Sequence, residues 1–272
     1  MIKPEKRQMH TENYTLDASR ILYIDEQCIA LNKRAGEAVE GAGAGMGDLP
    51  LMIQYILDRE KNCSLPAEEL SGYRLSPPVA VHRLDVPVTG CALFARTQGA
   101  LAFLNGVFIG TENAGDNDSA DYAKAGAPEK YYWAIIEKPR TEIAPAAHLV
   151  HWVQLNSRQN KSMAFDEPGQ ERKKAELAYR IIGAGRNYLF MEIQLFTGRH
   201  HQIRCQLAHI GLHIKGDLKY GARRSEPGGG IRLHARSLAF PHPAGGGRIS
   251  IQADPPHMDN LWQAFGECVV FP

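Results

Sequence analysis

The segment of residues 79–96 constrains the fold of this chain most strongly, because it holds one carboxylate in a turn between two apolar runs. The apolar residues 79–81 precede Asp85, and Pro87 follows it before the chain becomes apolar again. Apolar runs bounded by turn residues predict strands, and proline restricts the backbone where the first run ends. We therefore expect a strand, a turn and a strand, with Asp85 held at the turn.

Strand patterns dominate the rest of the chain, and helical patterns are interspersed irregularly. Residues 21–32 predict two short strands around an Asp-Glu turn. Further strands are predicted at residues 130–137, 150–164, 175–182 and 189–196, and helices at 49–59, 100–108, 202–210 and 261–265. Gly211 is suited to close the helix of residues 202–210, since glycine readily adopts the left-handed conformation found after helices. The irregular order of the elements predicts an α+β fold rather than a regular strand–helix–strand alternation.

The chain of 272 residues is long enough to bury a sizeable core. We expect a leader at residues 1–20 and one domain at residues 21–272, with a loop insertion at residues 110–128. No window of the sequence approaches the roughly 18 consecutive apolar residues that suggest a membrane span. The charged N-terminus lacks the apolar run of a secretory signal, and the five scattered cysteines indicate reduced thiols in a cytoplasmic protein.

The two parts of the chain differ in charge although the whole is close to neutral. Residues 1–150 hold 15 Lys and Arg against 20 Asp and Glu, a net charge of −5, whereas residues 151–272 hold 16 against 10, a net charge of +6. A basic face of this kind is typical of proteins that bind a polyanion such as RNA or DNA. An uneven distribution of solvated surface charges would look the same.

Asp85 is the leading candidate for chemistry. A carboxylate can attack an electrophilic carbon, and a buried one needs a cation to compensate its charge. Arg204, in the polar stretch 197–204, is the natural partner, because a guanidinium stays charged and pairs well with carboxylates. Taken alone, an aspartate at this place is more often a turn or capping residue. The surrounding motif favours instead a single-carboxylate nucleophile that breaks a glycosidic bond.

Two other groups of residues invite a functional interpretation. Tyr132 lies in an aromatic strand and could stack on a planar base and take part in proton transfer, or it could simply pack in the core. The histidines include His209 and His213 at helical spacing, which leaves a histidine-based metal hydrolase as an alternative. Ile210 stands where such zinc sites need a Glu, and Gly211 interrupts the helix between the two histidines.

At this point the sequence resembles the RluA family of pseudouridine synthases, over about residues 21–243. Residues 82–85 (His-Arg-Leu-Asp) are similar to the signature motif of that family, and residues 130–134 fit its Lys-x-Tyr-x-Ala strand. Residues 198–221 fit its third motif, and residues 233–243 fit its closing strand. The chain departs from the family at residues 88–90 (Val-Thr-Gly in place of Thr-Ser-Gly), at Arg34 in place of Pro and at His200 in place of Thr.

The resemblance implies a mixed, mostly antiparallel central sheet with flanking helices, and the isomerisation of specific uridines in ribosomal or transfer RNA. It places Asp85 as the catalytic aspartate, Arg204 as the arginine that pairs with it and Tyr132 as the active-site tyrosine. The expected RNA contacts are His82, Arg83, Arg199, His201, Gln202, Lys173, Lys174, Arg223 and Arg224. The expected lining of the base pocket is Leu84, Ile203 and Leu233.

The same resemblance sets the expected partners and cofactors. An isomerisation needs no metal and no organic cofactor, so we expect neither. We expect RNA as the partner, no membrane attachment, a monomer, and no separate N-terminal RNA-binding domain, since about twenty residues precede the first predicted strand. A non-catalytic RNA-binding or ribosome-assembly protein with this fold remains an alternative, beside the metal hydrolase.

Overall fold

A computed structural model describes residues 16–42, 47–60, 74–110 and 126–268. These residues form fourteen strands: β1 (Ile21–Ile24), β2 (Cys28–Lys33), β3 (Glu37–Ala38), β4 (Gly47–Asp48), β5 (Arg74–Ala80), β6 (Thr89–Thr97), β7 (Glu129–Glu137), β8 (Ala146–Asn156), β9 (Lys161–Phe165), β10 (Lys173–Ala184), β11 (Tyr188–Leu195), β12 (His213–Ile214), β13 (Leu233–Pro241) and β14 (Arg248–Gln252). They also form four α-helices: α1 (Leu49–Glu60), α2 (Gln98–Gly110), α3 (Gln202–His209) and α4 (Asn260–Cys268). Most of the expected insertion at 110–128 lies outside the described residues.

Twelve of the strands form one sheet, whose main order is β1-β2-β6-β13-β7-β11-β10-β8-β9. Within the described part of this sheet, β13 pairs with β6 in parallel and the other neighbours pair antiparallel. The α+β fold with a mixed, mostly antiparallel sheet is therefore confirmed.

Strand β7 lies near the middle of the sheet, and its alternate residues pack into different cores. Tyr132 and Ala134 belong to the large core, which also contains Ile203 of α3. Trp133 points the other way and packs with Phe265 of α4, with ring centroids 4.6 Å apart. Because successive side chains of a strand point to opposite faces, this register directs Tyr132 toward the same side of the sheet as α3.

Strand β6 is buried on both faces, which explains its uninterrupted apolar sequence. Ala92 and Phe94 pack in the large core, whereas Leu93 packs in a second core under α2, together with Leu104. The strand begins only four residues after Asp85, and its residues 90–95 are buried. The turn that carries Asp85 is thus anchored to a buried strand.

The helices predicted from periodicity are confirmed, with small shifts of their ends. The single strand predicted at residues 150–164 is wrong, because β8 and β9 form a hairpin there. Asn156 accepts a hydrogen bond from the backbone of Gln159, and Asn160 adopts the left-handed conformation with φ of 45°. Asparagine favours both the side-chain hydrogen bond to the backbone and the left-handed conformation. The two asparagines therefore form the turn between β8 and β9.

The last residues of the expected leader pack against the domain. Leu16 is buried in the large core, and Arg20 is buried in an ion pair with Glu37. Residues 16–20 are thus part of the packed structure. No helix in the described ranges is long and apolar enough to cross a membrane.

Candidate active site

Asp85 lies in the connection between β5 and β6, and the buried Lys33 binds the backbone of this connection. Lys33 is fully buried. Its ammonium donates hydrogen bonds to the carbonyls of Val86 at 3.0 Å, Val88 at 2.6 Å and Arg34 at 3.0 Å. Burial lowers the pKa of Lys33 to about 7, which is the cost of placing an ammonium there. Through these hydrogen bonds, Lys33 holds the backbone of the residues that follow Asp85 in place.

Arg204 connects Asp85 to a second carboxylate. Its Nη1 donates to Oδ2 of Asp85 at 2.9 Å, while Nε and Nη2 donate to the two oxygens of Asp217 at 2.7 and 2.8 Å. Burial by itself would lower the pKa of Arg204, but the hydrogen bonds and charges of Asp217 and Asp85 raise it above its ordinary value. The guanidinium therefore stays charged and compensates both acids.

Arg204 lies in the first turn of α3, which begins at Gln202. The guanidinium also lies over the ring of Tyr220, 4.9 Å from the centroid. Asp217, on the segment after β12, is only 2% exposed. The ring of Tyr220 and the carboxylate of Asp217 thus hold Arg204 in one orientation, in which Nη1 is directed toward Asp85.

Tyr132 forms one wall of the cavity in front of Asp85. Its side chain is buried, and burial followed by the charge of Asp85 raises the pKa of its hydroxyl above the ordinary value. The hydroxyl is therefore protonated at neutral pH. A neutral phenol ring suits stacking on a base better than it suits proton removal as a phenolate.

The cavity in front of Asp85 is open to solvent. The three residues predicted to line a base pocket, Leu84, Ile203 and Leu233, all line it together with Asp85 and Tyr132. The structure therefore brings the expected carboxylate, the aromatic ring and the apolar walls into one place.

Four of the residues predicted to contact RNA line this cavity: Arg83, Arg199, His201 and Gln202. Arg83 is exposed at its mouth. Gln202 is buried, and its amide oxygen accepts hydrogen bonds from Thr197 Oγ1 and the backbone of Arg199. Its amide nitrogen donates to the carbonyl of Glu176. The structure therefore shows Gln202 holding the loop before α3.

His82 does not reach the cavity, although it is close to Asp85 in sequence. Its ring stacks on Phe108 of α2 with centroids 5.5 Å apart, and its Nε2 accepts a hydrogen bond from the backbone of Leu93. Burial lowers its pKa to about 4, so the ring is neutral at physiological pH. The side chain is half-buried, and its contact with RNA stays a prediction.

The remaining predicted RNA contacts lie outside the cavity. Lys174 forms an ion pair of 3.1 Å with Glu176, and its carbonyl accepts a hydrogen bond from Nε of Arg199. Lys174 and its neighbour Lys173 are exposed beside the cavity wall. Arg223 donates from its backbone to Glu137, five residues beyond Tyr132 on β7, which is roughly 16 Å along a strand. Arg223 and the neighbouring Arg224 are exposed, and their contacts with RNA stay predictions.

His201 lies directly beside Asp85, with its Nε2 3.6 Å from Oδ2 of the carboxylate. Its Nδ1 is 2.9 Å from the hydroxyl of Tyr220. Burial, followed by the charge of Arg204, lowers the pKa of His201 to about 2. His200, where the family usually has Thr, stacks on this ring at 3.8 Å and bonds to Ser162 Oγ at 2.9 Å. A pair of neutral imidazoles therefore borders the carboxylate.

The sequence assigns no role to three residues of the site: Lys33, Asp217 and Tyr220. Asp217 and Tyr220 lie within the third motif at residues 198–221, and Lys33 directly precedes Arg34. A charged residue inside an apolar strand, as Lys33 is in β2, was the available signal, because such a residue needs a buried partner. Their partners are distant in sequence, so only the fold reveals what they bind.

His151, His209 and His213 do not line the Asp85 cavity. Nδ1 of His213 bonds to the carbonyl of Tyr220 at 2.7 Å. His209 bonds to Asp166 at 2.9 Å, and His151 completes a group whose potential ligand atoms lie within 4.8 Å of one another. This group lies at the end of α3 opposite to Arg204. Nothing in this arrangement supports the metal-hydrolase alternative for the Asp85 cavity.

Comparison with known proteins agrees with this geometry. An RNA pseudouridine synthase of Synechocystis is 30% identical over 92% of this chain and 69% of its own length. The ribosomal large subunit pseudouridine synthase D of Zymomonas mobilis is 26% identical over 93% of this chain and 74% of its own length. The solved structure of human RNA pseudouridylate synthase domain containing 4 is similar in fold, with a TM-score of 0.62, 18% identity and 92% coverage of both chains. The family described as RNA pseudouridylate synthase matches residues 27–209, and this chain belongs to it.

Proposed function

We propose that this isomerase converts specific uridines of ribosomal or transfer RNA to pseudouridine, with Asp85 as the nucleophile. One observation carries the proposal above all. Oδ2 of Asp85 is bound to Arg204 at 2.9 Å, whereas no hydrogen bond in the described structure falls on Oδ1. One carboxylate oxygen is thus held by a cation, and the other is available to a carbon in the cavity.

The reaction proceeds through two exchanges of bonds at the ribose. Asp85 Oδ1 attacks C1′, the C1′–N1 bond breaks, and its electron pair leaves with the uracil ring. The uracil turns in the cavity, C5 bonds to C1′, and the Asp85 oxygen leaves. The ring then loses the proton of C5 and gains one at N1, so atoms and electrons balance without a redox partner.

The residues around Asp85 have separate parts in this reaction. Arg204 compensates the charge of Asp85 before the attack and after its release. Tyr132 offers its ring to the base, and Leu84, Ile203 and Leu233 form apolar walls that keep a freed uracil in the cavity. Confinement of the uracil favours its rejoining to the same ribose, because a tethered encounter replaces a diffusive one.

The target uridine must leave its stack to reach Asp85, because the carboxylate lies inside the cavity. The free-energy cost of flipping out is smaller for a uridine in a loop than for a base-paired uridine. Arg83, exposed at the mouth, is placed to bind a phosphate next to the flipped nucleotide. Two relatives are named ribosomal large subunit pseudouridine synthase D, which supports the proposal of ribosomal or transfer RNA here. We also propose that the protein acts as a cytoplasmic monomer.

A tritium-release assay tests the proposal. RNA labelled with [5-³H]uridine, taken from cells that lack this gene, should lose tritium to water when the wild-type protein is added, since isomerisation releases the C5 hydrogen. Asp85→Asn should abolish the release and leave the fold intact. Asp166→Asn removes an exposed carboxylate outside the cavity and should keep the wild-type rate. Wild-type release by Asp85→Asn would disprove the assignment of the nucleophile, and no release by the wild type would favour a non-catalytic RNA-binding protein.

A further inference from the structure

The position of His201 beside Asp85 gives its side chain a role in the site that the sequence does not indicate. We infer that neutral His201 is a positioning residue, which donates its Nε2–H to Oδ2 of Asp85 and is held in that tautomer by the hydroxyl of Tyr220. The inference rests on the proposed function, because it concerns the orientation of the same nucleophile. It assigns the ring to the interior of the site and not to contact with RNA.

The backbone of His201 is in an unusual conformation. Its φ of 53° is left-handed, a region that residues other than glycine seldom adopt, and it immediately precedes α3. Such a conformation is strained and persists where the surrounding structure enforces it, often at functional sites. The side chain is 7% exposed, and the conformation directs it toward Asp85 rather than toward solvent.

The hydroxyl of Tyr220 contacts Nδ1 of His201 and therefore bears on which ring nitrogen carries the proton. The hydroxyl of Tyr220 accepts a hydrogen bond from the backbone of Ser162 at 2.9 Å. It can donate its one proton to Nδ1 of His201 at 2.9 Å or to the carbonyl of Ser162 at 3.1 Å. Donation to Nδ1 leaves the ring proton on Nε2, which faces Asp85.

The charge of Asp85 favours this tautomer over the other one. If Nδ1 carried the proton, the lone pair of Nε2 would face a carboxylate oxygen 3.6 Å away, which is repulsive. With the proton on Nε2 the same contact is attractive. The distance exceeds that of a formed hydrogen bond, and such contacts often tighten when the substrate binds.

A neutral donor suits the nucleophile better than a second cation. Arg204 already shares one positive charge between Asp85 and Asp217, so the group of three has a net charge of −1. Burial and the charge of Arg204 keep the His201 ring neutral. The ring thus orients the carboxylate without neutralising it. Nη1 of Arg204 and Nε2 of His201 both lie near Oδ2, at 2.9 and 3.6 Å, and together they restrain rotation of the carboxylate so that Oδ1 stays toward the cavity.

The test compares side chains that differ in where they place a donor. In His201→Gln the amide nitrogen reaches roughly as far as Nε2, whereas in His201→Asn it lies near the position of Nδ1. Asparagine also tolerates the left-handed backbone, so it is the matched control. His201→Leu removes both nitrogens. His209→Leu, at the far end of α3, changes a histidine that bonds to Asp166 outside the cavity.

The measurements are the single-turnover rate of tritium release and the affinity for a transcript of the RNA segment that carries the modified uridine. We expect about tenfold slower release by His201→Leu and His201→Asn, the kinetic value of one neutral hydrogen bond. His201→Gln should recover most of the rate, and all three should bind the transcript as the wild type does. Tyr220→Phe should slow release too, and adding it to His201→Leu should cause no further loss.

The outcomes separate this inference from the proposed function. Equal rates for His201→Gln and His201→Asn, or a wild-type rate for His201→Leu, would overturn the positioning role while the reaction stands. A loss of RNA affinity without a loss of rate would assign His201 to RNA contact instead. If His201→Leu does not fold, the ratio of the Gln and Asn rates still decides. Turnover by Asp85→Asn would contradict the proposed function itself.

Discussion

Asp217 holds Arg204 by two hydrogen bonds of 2.7 and 2.8 Å, and the guanidinium nitrogen that remains, Nη1, reaches Asp85. One arginine therefore serves a structural acid and a reactive acid at the same time. The bidentate pair fixes the plane of the guanidinium. Because that plane is fixed, the position of Asp85 Oδ2 follows from the position of Asp217, 132 residues further along the chain.

Arg204→Met should remove activity and lower the free energy of unfolding by about 3–5 kcal/mol, because it leaves the buried Asp217 without its cation. Tritium release and urea denaturation measure the two effects. Arg180→Met is the control, since Arg180 pairs with Glu192 at the surface and should change stability by at most about 1 kcal/mol. Equal stability of Arg204→Met and the wild type would contradict the buried arrangement.

Asp217→Asn should slow the reaction without weakening RNA binding. The amide keeps the shape of the carboxylate but loses its charge and one acceptor, so Arg204 is no longer held in a fixed plane. A reduced rate of tritium release at unchanged affinity for the RNA transcript is the expected result. A fall in affinity alone would show that Asp217 acts on RNA rather than on Arg204.

Lys33→Met should change how stability depends on pH. Burial lowers the pKa of Lys33 to about 7, so the folded state binds fewer protons than the unfolded state between about pH 7 and the ordinary lysine value of 10.5. The wild type should therefore gain stability as pH rises through this window and lose it as pH falls toward 7. Urea denaturation at several pH values measures this slope, and the variant should show a smaller one. An identical slope would mean that Lys33 does not titrate in this window.

Arg83→Ala should weaken RNA binding more than it slows the chemical step, because Arg83 is exposed at the mouth of the cavity and does not contact Asp85. The slope of log affinity against log salt should fall by about one unit if the side chain binds one phosphate. Arg180→Ala is the matched control, since Arg180 is an exposed arginine on β10 that pairs with Glu192 and does not line the cavity. A larger effect of the control would contradict RNA binding at the mouth of the cavity.

The sequence indicated the reacting groups better than the groups that support them. Asp85, Tyr132 and Arg204 could be named from the motifs that carry them, and the structure places Asp85 and Arg204 2.9 Å apart. Lys33 and Asp217 could not be assigned, because their roles depend on carbonyls and on a guanidinium that only the fold brings near. His82 is close to Asp85 in sequence, but its ring stacks on Phe108 of α2 and does not line the cavity, which the sequence alone did not indicate.

The fold was predictable at the level of class and local elements. Helix α3 and the strands around Asp85 follow from periodicity and from turn residues. The insertion of β13 between β6 and β7 did not follow, because pairing of distant strands leaves no local pattern. The hairpin of β8 and β9 was missed because its turn is made by Asn156 and Asn160 inside an otherwise strand-like sequence.

The most direct test of the central claim is a map of pseudouridine in total RNA from cells with and without this gene, with rescue by the wild type and by Asp85→Asn. We predict that one or a few sites disappear without the gene and return only with the wild type. Return of the sites with Asp85→Asn would contradict the role of Asp85 in catalysis. A map unchanged by the loss of the gene would contradict the proposed activity on cellular RNA.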